Sequence, residues 1–271
     1  MPLSAEDHVI EPAAVRVDGQ TALVTGAAVG IGRAVALTLA QFGARVGVCD
    51  RDESGLDAVV AEIQAAGGAA ASAVFDARDG DATRAFVAGV TAELGAPSIL
   101  VNNVGGGFAA EFSDVSAKGQ DVLVAQNFGS VTDCIRAFVD VAPSGASIVN
   151  ITSIEAHRAA PGYAIYAAMK AAVTSLTRTL ALEFADRGIR VNAVAPDMIL
   201  TPGIGEDLPA STPLGIDGLP RDVAGAVIYL VSGLARFVTG TTLHVDGGNL
   251  AASGWTRRPD GSWSPSAGEP G

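Results

Sequence analysis

Tyr166 and Lys170 are the residues of this chain best suited to chemistry, and one helical turn separates them. Side chains four residues apart lie on one face of a helix, so the Lys170 ammonium can sit beside the Tyr166 hydroxyl. A nearby cation stabilises a phenolate and lowers the tyrosine pKa from about 10 toward neutrality. The pair is a candidate for proton transfer, although an amphipathic helix with a half-buried tyrosine and a solvated lysine has the same spacing.

Ser153 lies thirteen residues before Tyr166 and is the third candidate. It belongs to the apolar run 148–154, which predicts a strand that ends at a hydroxyl. A serine at that point could hold a substrate oxygen in front of Tyr166. Tyr163 competes for the role of Tyr166, but no lysine follows it at the fourth position, and the spacing from Ser153 favours Tyr166.

A glycine-rich turn, Gly26-Ala-Ala-Val-Gly-Ile-Gly32, separates a predicted strand at 21–25 from a predicted helix at 33–40. In this order of elements, the helix N-terminus offers free N–H groups and a positive dipole end to a pyrophosphate. The glycines permit the tight turn and the close approach of backbone and helix. Taken alone, the same glycines would also suit an ordinary turn.

Asp50 ends the second predicted strand, which covers 44–49. A carboxylate there can accept hydrogen bonds from the adenosine ribose hydroxyls and would repel a 2′-phosphate, so the sequence favours NAD over NADP. Arg51 could instead meet a phosphate, and Asp50 could be an ordinary strand-end residue. Asp76 follows the third predicted strand, where it could accept a hydrogen bond from the adenine amino group.

Strands and helices alternate along the chain, which indicates βαβ units, a parallel sheet and a crevice at the carboxyl ends of the strands. The predicted fold is a single Rossmann-type doubly wound α/β domain, with a seven-stranded parallel sheet flanked by helices. The domain covers 19–250, after a partly disordered arm at 1–18 and before a C-terminal extension at 251–271. The remaining predicted helices cover 53–66, 79–94, 116–141, 163–187 and 221–234.

The composition excludes several functions. A net charge of −12 over 271 residues argues against nucleic acid or an anionic membrane as a partner. Two cysteines, Cys49 and Cys134, are too few for a disulfide framework and indicate a reducing compartment. The three histidines lack metal-ligand spacing, so no metal is expected. Without a basic leader or a long apolar run, the expected location is the cytoplasm.

Six motifs in order give the chain between about 18 and 250 a close likeness to a known family. It resembles the classical short-chain dehydrogenase/reductase family in Thr25-Gly-Ala-Ala-Val-Gly-Ile-Gly32, Asn102-Asn-Val-Gly105, Ser153, Tyr166-x-x-x-Lys170, Pro196-x-x-Ile199-x-Thr201 and Val245-Asp-Gly-Gly248.

The resemblance implies an NAD(H)-dependent oxidoreductase that interconverts a secondary alcohol and a ketone, with Asn127, Ser153, Tyr166 and Lys170 as catalytic residues. Asn127 would hold, through its backbone carbonyl, a water that connects Lys170 to solvent, although it could also be a polar residue that kinks a helix. The implied cofactor-binding residues are Gly26, Val29, Gly30, Ile31, Gly32, Asp50, Arg51, Asp76, Ala77, Asn103, Val104, Gly105, Tyr166, Lys170, Pro196, Ile199 and Thr201.

The chain departs from the family pattern at two positions. Val104 stands where the family usually has alanine, and Asp197 stands where a glycine usually follows Pro196. The first change has no clear consequence, whereas the second brings a carboxylate near the nicotinamide. The segment between 203 and 220, which covers the substrate in the family, is short here and suggests an open pocket. Its apolar residues Ile204, Leu208 and Leu214 allow a hydrophobic substrate of the steroid, terpenoid or acyl kind.

Two other functions stay open. One is an NADPH-dependent 3-oxoacyl-thioester reductase that acts with acyl carrier protein, against which Asp50 and the acidic charge balance argue. The other is a noncatalytic dinucleotide-binding sensor or scaffold, which would not need Ser153, Tyr166 and Lys170 together. The expected partners are a small-molecule substrate and further copies of the chain. The resemblance implies a homo-oligomer, commonly a tetramer, built on the helices near 116–141 and 163–187 and the last strand, and the sequence leaves dimer and tetramer open. Trp255 and Trp263 in the extension could dock at a subunit interface or a pocket mouth.

Overall fold

Seven parallel strands form the centre of the protein. The computed structural model describes residues 9–202, 212–258 and 260–265. The strands are Thr21–Thr25 (β1), Arg45–Asp50 (β2), Ala70–Val74 (β3), Ile99–Asn102 (β4), Ser147–Ile151 (β5), Arg190–Pro196 (β6) and Thr242–Val245 (β7). They lie side by side in the order β3-β2-β1-β4-β5-β6-β7. This order confirms the predicted Rossmann-type α/β fold.

The apolar character of the strands follows from their position. Every residue of β1, β4 and β5 is buried, because helices cover both faces of a parallel sheet. The chain order reverses between β1 and its neighbours, with Ala22 opposite Val46 of β2 on one side and Ile99 of β4 on the other. Such a reversal opens a crevice at the carboxyl ends of the strands, where ligands bind in open α/β sheets.

Two layers of helices pack on the sheet. The helices that flank the sheet are Gly30–Gln41 (α1), Glu53–Ala65 (α2), Gly80–Leu94 (α3), Ala117–Val124 (α4), Ser130–Val141 (α5), Ala164–Glu183 (α6) and Pro220–Val231 (α7). Helices α1, α2 and α7 form an apolar cluster on one face, and α3, α5 and α6 form a second cluster on the other. Within the described residues, no helix is long and apolar enough to cross a membrane.

Side-chain caps fix where some of these helices begin. Asp79 Oδ1 accepts the N–H groups of Asp81 (2.9 Å) and Ala82 (3.0 Å) at the start of α3. Ser116 Oγ accepts the N–H of Gly119 (3.1 Å) at the start of α4. Each cap satisfies backbone donors that lack a partner within the helix, which is worth about 1 kcal/mol. The loops before these helices therefore have defined ends.

The single long helix predicted over 116–141 is interrupted. A π-helical turn, Ala125–Gly129, separates α4 from α5. The cause is Asn127, whose side chain is completely buried and binds backbone groups of Leu123 and Gly106. Apolar periodicity continues through such a turn, so the pattern alone predicted one helix. Turns of this kind are frequent at functional sites.

The described terminal segments are partly packed. In the N-terminal arm, a short 3-10 helix at Pro12–Val15 leads to Val17, which is completely buried. At the other end, a short helix, Asn249–Ala252 (α8), precedes an antiparallel hairpin of Thr256–Arg257 (β8) and Trp263–Ser264 (β9). Trp263 and its neighbour in the tail, Trp255, each expose about half of their surface, at 45% and 51%.

Candidate active site

A cavity of about 600 Å³ opens at the carboxyl ends of the strands. Most of the residues predicted from sequence line it. Two do not, because Gly32 and Asn127 lie behind the cavity wall. The predicted residues at the wall are Gly26, Val29, Gly30, Ile31, Asp50, Arg51, Asp76, Ala77, Asn103, Val104, Gly105, Ser153, Tyr166, Lys170, Pro196, Ile199 and Thr201.

The glycine-rich turn between β1 and α1 has no room for side chains. A Cβ on Gly32 would lie 2.0 Å from the Gly26 carbonyl oxygen and 2.5 Å from Asn103 Nδ2, so only glycine fits. Gly30 has a φ of 58°, in the left-handed region that favours glycine. No described side chain caps the first turn of α1. Its N–H groups are donors of the kind that bind pyrophosphate.

Asn103, directly after β4, fastens the next loop to this turn. Thr25 Oγ1 accepts the N–H groups of Asn103 (3.0 Å) and Val104 (3.2 Å). Asn103 Nδ2 donates to the carbonyl oxygens of Thr25 (3.1 Å) and Gly26 (2.9 Å). Asn102, the last residue of β4, donates to Asn150 Oδ1 on the neighbouring strand β5, at 2.8 Å. These bonds hold the middle of the cavity wall in place.

Charged side chains surround the end of the cavity formed by β2 and β3, which we call the adenosine end. Asp50 Oδ2 accepts the N–H of Ala28 (3.1 Å), and Oδ1 accepts that of Arg51 (2.7 Å). Asp76 accepts two bonds from Arg78 Nε, at 2.9 and 3.0 Å. Arg78 lowers the pKa of Asp76 to about 2, mainly through its side-chain hydrogen bonds.

Ser153, Tyr166 and Lys170 come together at the opposite end, which we call the catalytic end. Lys170 Nζ donates to the Ile151 carbonyl oxygen at 3.0 Å and lies 5.7 Å from the centroid of the Tyr166 ring. The Ser153 side chain acts on the Tyr166 hydroxyl and lowers its pKa. Ser153 lies beyond the end of β5, at the start of a 3-10 turn whose Glu155 N–H it accepts at 3.2 Å. The predicted run 148–154 is thus a strand only to Ile151.

Burial determines the proton affinity of this pair. Lys170 is 3% exposed, and desolvation lowers its pKa to about 8. Desolvation also raises the pKa of Tyr166 above its usual value; the Ser153 side chain opposes this rise and the Glu155 carboxylate adds to it. The expected lowering of the Tyr166 pKa is therefore reversed in the protein without a bound cofactor, because desolvation is the largest cause and raises this pKa.

Asn127 supports the cavity wall from behind. Its Oδ1 accepts the N–H of Gly106 (3.0 Å), and its Nδ2 donates to the carbonyl oxygens of Gly106 (2.8 Å) and Leu123 (2.9 Å). A Cβ on Gly105 would lie 2.6 Å from Lys170 Nζ and 3.0 Å from Asn127 Oδ1. The loop after β4 therefore packs tightly between the π-helical turn and the lysine.

Asp197 lines the cavity at the catalytic end. Its Oδ1 lies 3.2 Å from Arg158 Nη2, and Asn249 Nδ2 donates to its Oδ2. Arg158 also pairs with Glu155 at 2.9 Å. The sequence identified Asp197 as a departure from the family pattern but gave no partner for it. Arg158 is 39 positions away in the chain, so only the fold brings the two together.

Some residues of the cavity wall were not predicted from the sequence, and some residues predicted to cover the substrate lie outside the described residues. Arg78 could have been found, because it lies two positions after a strand-end aspartate; other missed wall residues include Phe75, Gln126 and Met198. Tyr163, the competitor of Tyr166, is 40% exposed and lies at the N-cap of α6, outside the wall. In the covering segment, Ile204 and Leu208 lie outside the described residues, and Leu214 is exposed.

The chain is similar to known reductases and dehydrogenases. A family model described as enoyl-(acyl carrier protein) reductase matches residues 26–249. The 3β-hydroxysteroid dehydrogenase 1 of Eggerthella lenta is 39% identical over 244 residues, which cover 85% of this chain and 93% of the relative. The 3-oxoacyl-(acyl-carrier-protein) reductase FabG of Thermotoga maritima is 36% identical over 244 residues, covering 86% of this chain and 99% of the relative.

Solved structures agree with these relatives. A dehydrogenase/reductase from Sinorhizobium meliloti 1021 has a TM-score of 0.84 at 35% identity, covering 87% of this chain and 97% of its own. A short chain dehydrogenase from Burkholderia cenocepacia J2315, solved in complex with NADP, has a TM-score of 0.83 at 34% identity and covers 86% of this chain and 98% of its own.

Proposed function

The chain belongs to the short-chain dehydrogenase/reductase family, and we propose that it is an NAD(H)-dependent oxidoreductase that interconverts a secondary alcohol and a ketone. One observation carries the proposal. Ser153, Tyr166 and Lys170 line the same cavity as the glycine-rich turn and Asp50. A cofactor that binds across this cavity would extend from the adenosine end to the proton-transfer groups at the catalytic end.

The residues present fit a nicotinamide dinucleotide. The close approach at Gly32 and the positive φ of Gly30 form a cradle that side chains would fill. The uncapped start of α1 supplies backbone donors for the pyrophosphate. At the catalytic end, the resemblance assigns Ile199 and Thr201 to the nicotinamide carboxamide and the pyrophosphate. When bound, the nicotinamide ring would accept or supply the hydride, and the protein would supply position and charge.

The preference for NAD over NADP rests on Asp50. Its carboxylate lies at the wall of the adenosine end and already accepts hydrogen bonds from three backbone N–H groups, which fix its position. A fixed negative charge favours ribose hydroxyls as donors and opposes a 2′-phosphate. Arg51 and Arg78 also line this end, but Arg78 is engaged with Asp76. We therefore expect the carboxylate to outweigh the guanidinium groups.

The proposed mechanism divides the work among three side chains. Tyr166 takes the alcohol proton as the phenolate during oxidation, and as the phenol it gives that proton to the substrate oxygen during reduction. Ser153, which lines the cavity with Tyr166, orients the substrate oxygen. Lys170 is held by the Ile151 carbonyl; with a pKa of about 8, it is charged at neutral pH and can also release a proton. The backbone carbonyl of Asn127 would hold the water that passes that proton to solvent.

The substrate that we propose is a hydrophobic secondary alcohol or ketone of the steroid, terpenoid or acyl kind. Apolar side chains at the wall, among them Val122, Met198 and Ile199, support this class. The hydroxysteroid dehydrogenase relative acts on a substrate of this kind by its name.

A second candidate is a 3-oxoacyl-thioester reductase that uses NADPH. The FabG relative and the description of the family model favour it. The NADP complex of the Burkholderia relative adds to this candidate. It requires the guanidinium groups at the adenosine end to outweigh Asp50. It also requires a basic surface patch for acyl carrier protein, on a chain whose net charge is −12.

We propose a homotetramer as the assembly. Strand β7 lies at the edge of the sheet, and all of its residues are only half-buried. Leu182 near the end of α6 is 78% exposed, so this helix also offers apolar surface. A second copy that covers these surfaces would bury them. Mass measurement of the protein in solution tests this assembly, and a monomer would contradict it.

The decisive experiment is to measure cofactor turnover by purified protein across a panel of secondary alcohols and ketones, with the NAD and NADP pairs in parallel. Turnover of one chemical class with NAD(H), lost in Tyr166→Phe, would support the whole proposal. Turnover only with NADPH and 3-oxoacyl thioesters would favour the second candidate. Activity retained in Tyr166→Phe would contradict the catalytic assignment.

A further inference from the structure

An ion-pair network lies across the catalytic end, and the proposed reaction does not use it. Arg158 Nη2 lies 2.9 Å from Glu155 Oε1 and 3.2 Å from Asp197 Oδ1. Asn249 Nδ2 donates to the second oxygen of Asp197. The Asp197 side chain is only 12% exposed, whereas that of Arg158 is 40% exposed. The carboxylate is therefore held from two sides, and its single ion-pair partner among the described residues is Arg158.

The network connects three segments that meet at the cavity. Glu155 and Arg158 follow Ser153 in the connection after β5. Asp197 directly follows β6 and lines the cavity, and Asn249 begins α8 shortly after β7. An unpaired charge on Asp197 would therefore lie close to any molecule bound in the cavity, with little water between them to screen it. A glycine at this position, which is usual in the family, needs no such partner.

We propose that Arg158 is a positioning residue that holds the Asp197 carboxylate paired and keeps its charge from acting on the nicotinamide ring. Through this pairing, it sets the relative affinity of the protein for the reduced and the oxidised cofactor. The inference rests on the proposed function, because it requires the ring to lie beside the segment that begins at Pro196.

The direction of the effect follows from the charge of the ring. The oxidised nicotinamide ring carries a positive charge, and the reduced ring carries none. A carboxylate paired with a guanidinium has little net field, whereas an unpaired one attracts the oxidised ring. Loss of Arg158 should therefore tighten binding of the oxidised cofactor relative to the reduced one. Loss of the Asp197 charge should act in the opposite sense, because the network then loses one negative charge and Arg158 remains paired with Glu155.

The test is the ratio of the dissociation constants of NADH and NAD, from fluorescence titration of NADH and competition by NAD. In Arg158→Ala, we expect this ratio to rise about three- to tenfold, as one partly screened charge several ångströms away would produce. The Arg158→Ala/Asp197→Asn double variant should return to the wild-type ratio, and Arg158→Lys should stay close to it. If the protein prefers the NADP pair, the same ratio is measured with that pair.

Two further variants isolate Asp197. Glu155 also loses its partner in Arg158→Ala, so Glu155→Gln is combined with that change; the ratio should remain raised. Arg136→Ala is the matched control, because it breaks an exposed ion pair with Asp133, 3.0 Å long, on α5. This control should leave the ratio unchanged.

Several outcomes would overturn the inference. One is an unchanged ratio in Arg158→Ala, and another is a rise that survives Asp197→Asn but disappears with Glu155→Gln. If Arg158→Ala does not fold, Asp197→Asn alone decides the question. Its ratio of dissociation constants should fall below that of the wild type. A ratio that does not fall refutes the assignment. A wild-type protein that binds no nicotinamide dinucleotide would instead contradict the proposed function on which the inference rests.

Discussion

The two ends of the cavity differ in how far their charged side chains are exposed to water and paired with opposite charges. At the adenosine end, Asp76 and Arg78 form an ion pair at the surface, with side chains that are 44% and 39% exposed. At the catalytic end, Lys170 is 3% exposed and forms no ion pair with any described residue. Its partner is a neutral carbonyl oxygen, that of Ile151. The adenosine end therefore has a solvated ion pair, whereas the catalytic end, beside its Arg158 network, buries one charge that has no counter-charge among the described residues.

This difference in burial determines how each charge affects the free energy of folding. Surface ion pairs contribute about 0–1 kcal/mol, because water screens the charges in both the folded and the unfolded state. A buried ammonium without a counter-charge is destabilising, which is why the pKa of Lys170 falls to about 8. A folding requirement alone would not retain such a group. The contrast therefore supports a chemical role at the catalytic end and a recognition role at the adenosine end.

The largest expected effect is at the catalytic end. Tyr166→Phe removes the hydroxyl that exchanges a proton with the substrate, so we expect kcat to fall about a thousandfold or more. Binding of NADH should stay close to that of the wild type, because the ring and its packing remain. Steady-state kinetics and fluorescence titration measure the two quantities on the same sample.

Tyr163→Phe is the matched control for this change. The ring of Tyr163 lies 6.4 Å from that of Tyr166, but the residue is 40% exposed and does not line the cavity. We expect it to retain most of the activity. Equal losses in both variants would mean that the tyrosine cluster acts through packing rather than through proton transfer.

The second effect concerns the stability of the buried lysine. Desolvation lowers the pKa of Lys170 from 10.5 to about 8. Between these values the unfolded chain holds a proton that the folded protein has released, so the wild type gains stability as the pH rises. Lys170→Met lacks this gain. At pH 7 we expect the variant to be more stable than the wild type by roughly 2–3 kcal/mol, less the hydrogen bond lost at Ile151.

Urea unfolding at pH 7, 8, 9 and 9.5 measures this difference. The advantage of the variant should shrink as the pH rises above about 8. Taking the difference between the two proteins cancels the buried thiols Cys49 and Cys134, whose raised pKa values also make stability depend on alkaline pH. A difference that stays constant with pH would mean that Lys170 is not desolvated in the folded protein.

Features that depend on neighbouring residues were predictable from the sequence. The fold followed from alternating strands and helices. The glycine-rich turn predicted close packing, and a Cβ on Gly32 would indeed lie only 2.0 Å from the Gly26 carbonyl oxygen. Ser153, Tyr166 and Lys170 were placed at one wall because their spacing and the strand ends carry that information.

Features that depend on long-range contacts or on burial were not predictable. The π-helical turn exists because Asn127 bonds to Gly106, 21 positions away. The Arg158–Asp197 pair spans 39 positions. The direction of the Tyr166 pKa shift depends on how much water the fold removes, and spacing along a helix contains no such information.

The third effect concerns recognition at the adenosine end. Asp50→Asn keeps the size of the side chain but removes the charge that opposes a 2′-phosphate. We expect the ratio of the NADP and NAD dissociation constants to fall about tenfold, since the change removes one charge near the phosphate site. Asp52→Asn is the matched control, because Asp52 is exposed, caps α2 and does not line the cavity. Equal effects of both changes would remove Asp50 as the discriminating residue.

The smallest effect tests the surface ion pair. Arg78→Ala should raise the pKa of Asp76 from about 2 toward the usual value of about 4, measured by NMR titration of the carboxyl group. The backbone N–H of Arg78, 3.0 Å from Asp76 Oδ1, remains and keeps part of the shift. The pair stabilises the protein above about pH 4, and this contribution is lost as the pH falls toward 2.

At pH 7 the loss of this pair should cost less than about 1 kcal/mol of unfolding free energy, because both side chains are more than one third exposed. Arg84→Ala, which breaks another exposed pair on α3, should leave the pKa of Asp76 unchanged. A cost as large as the change expected at Lys170 would mean that the adenosine end also depends on a desolvated charge. The two ends would then differ in the sign of their buried charge, and no longer in whether a charge is buried.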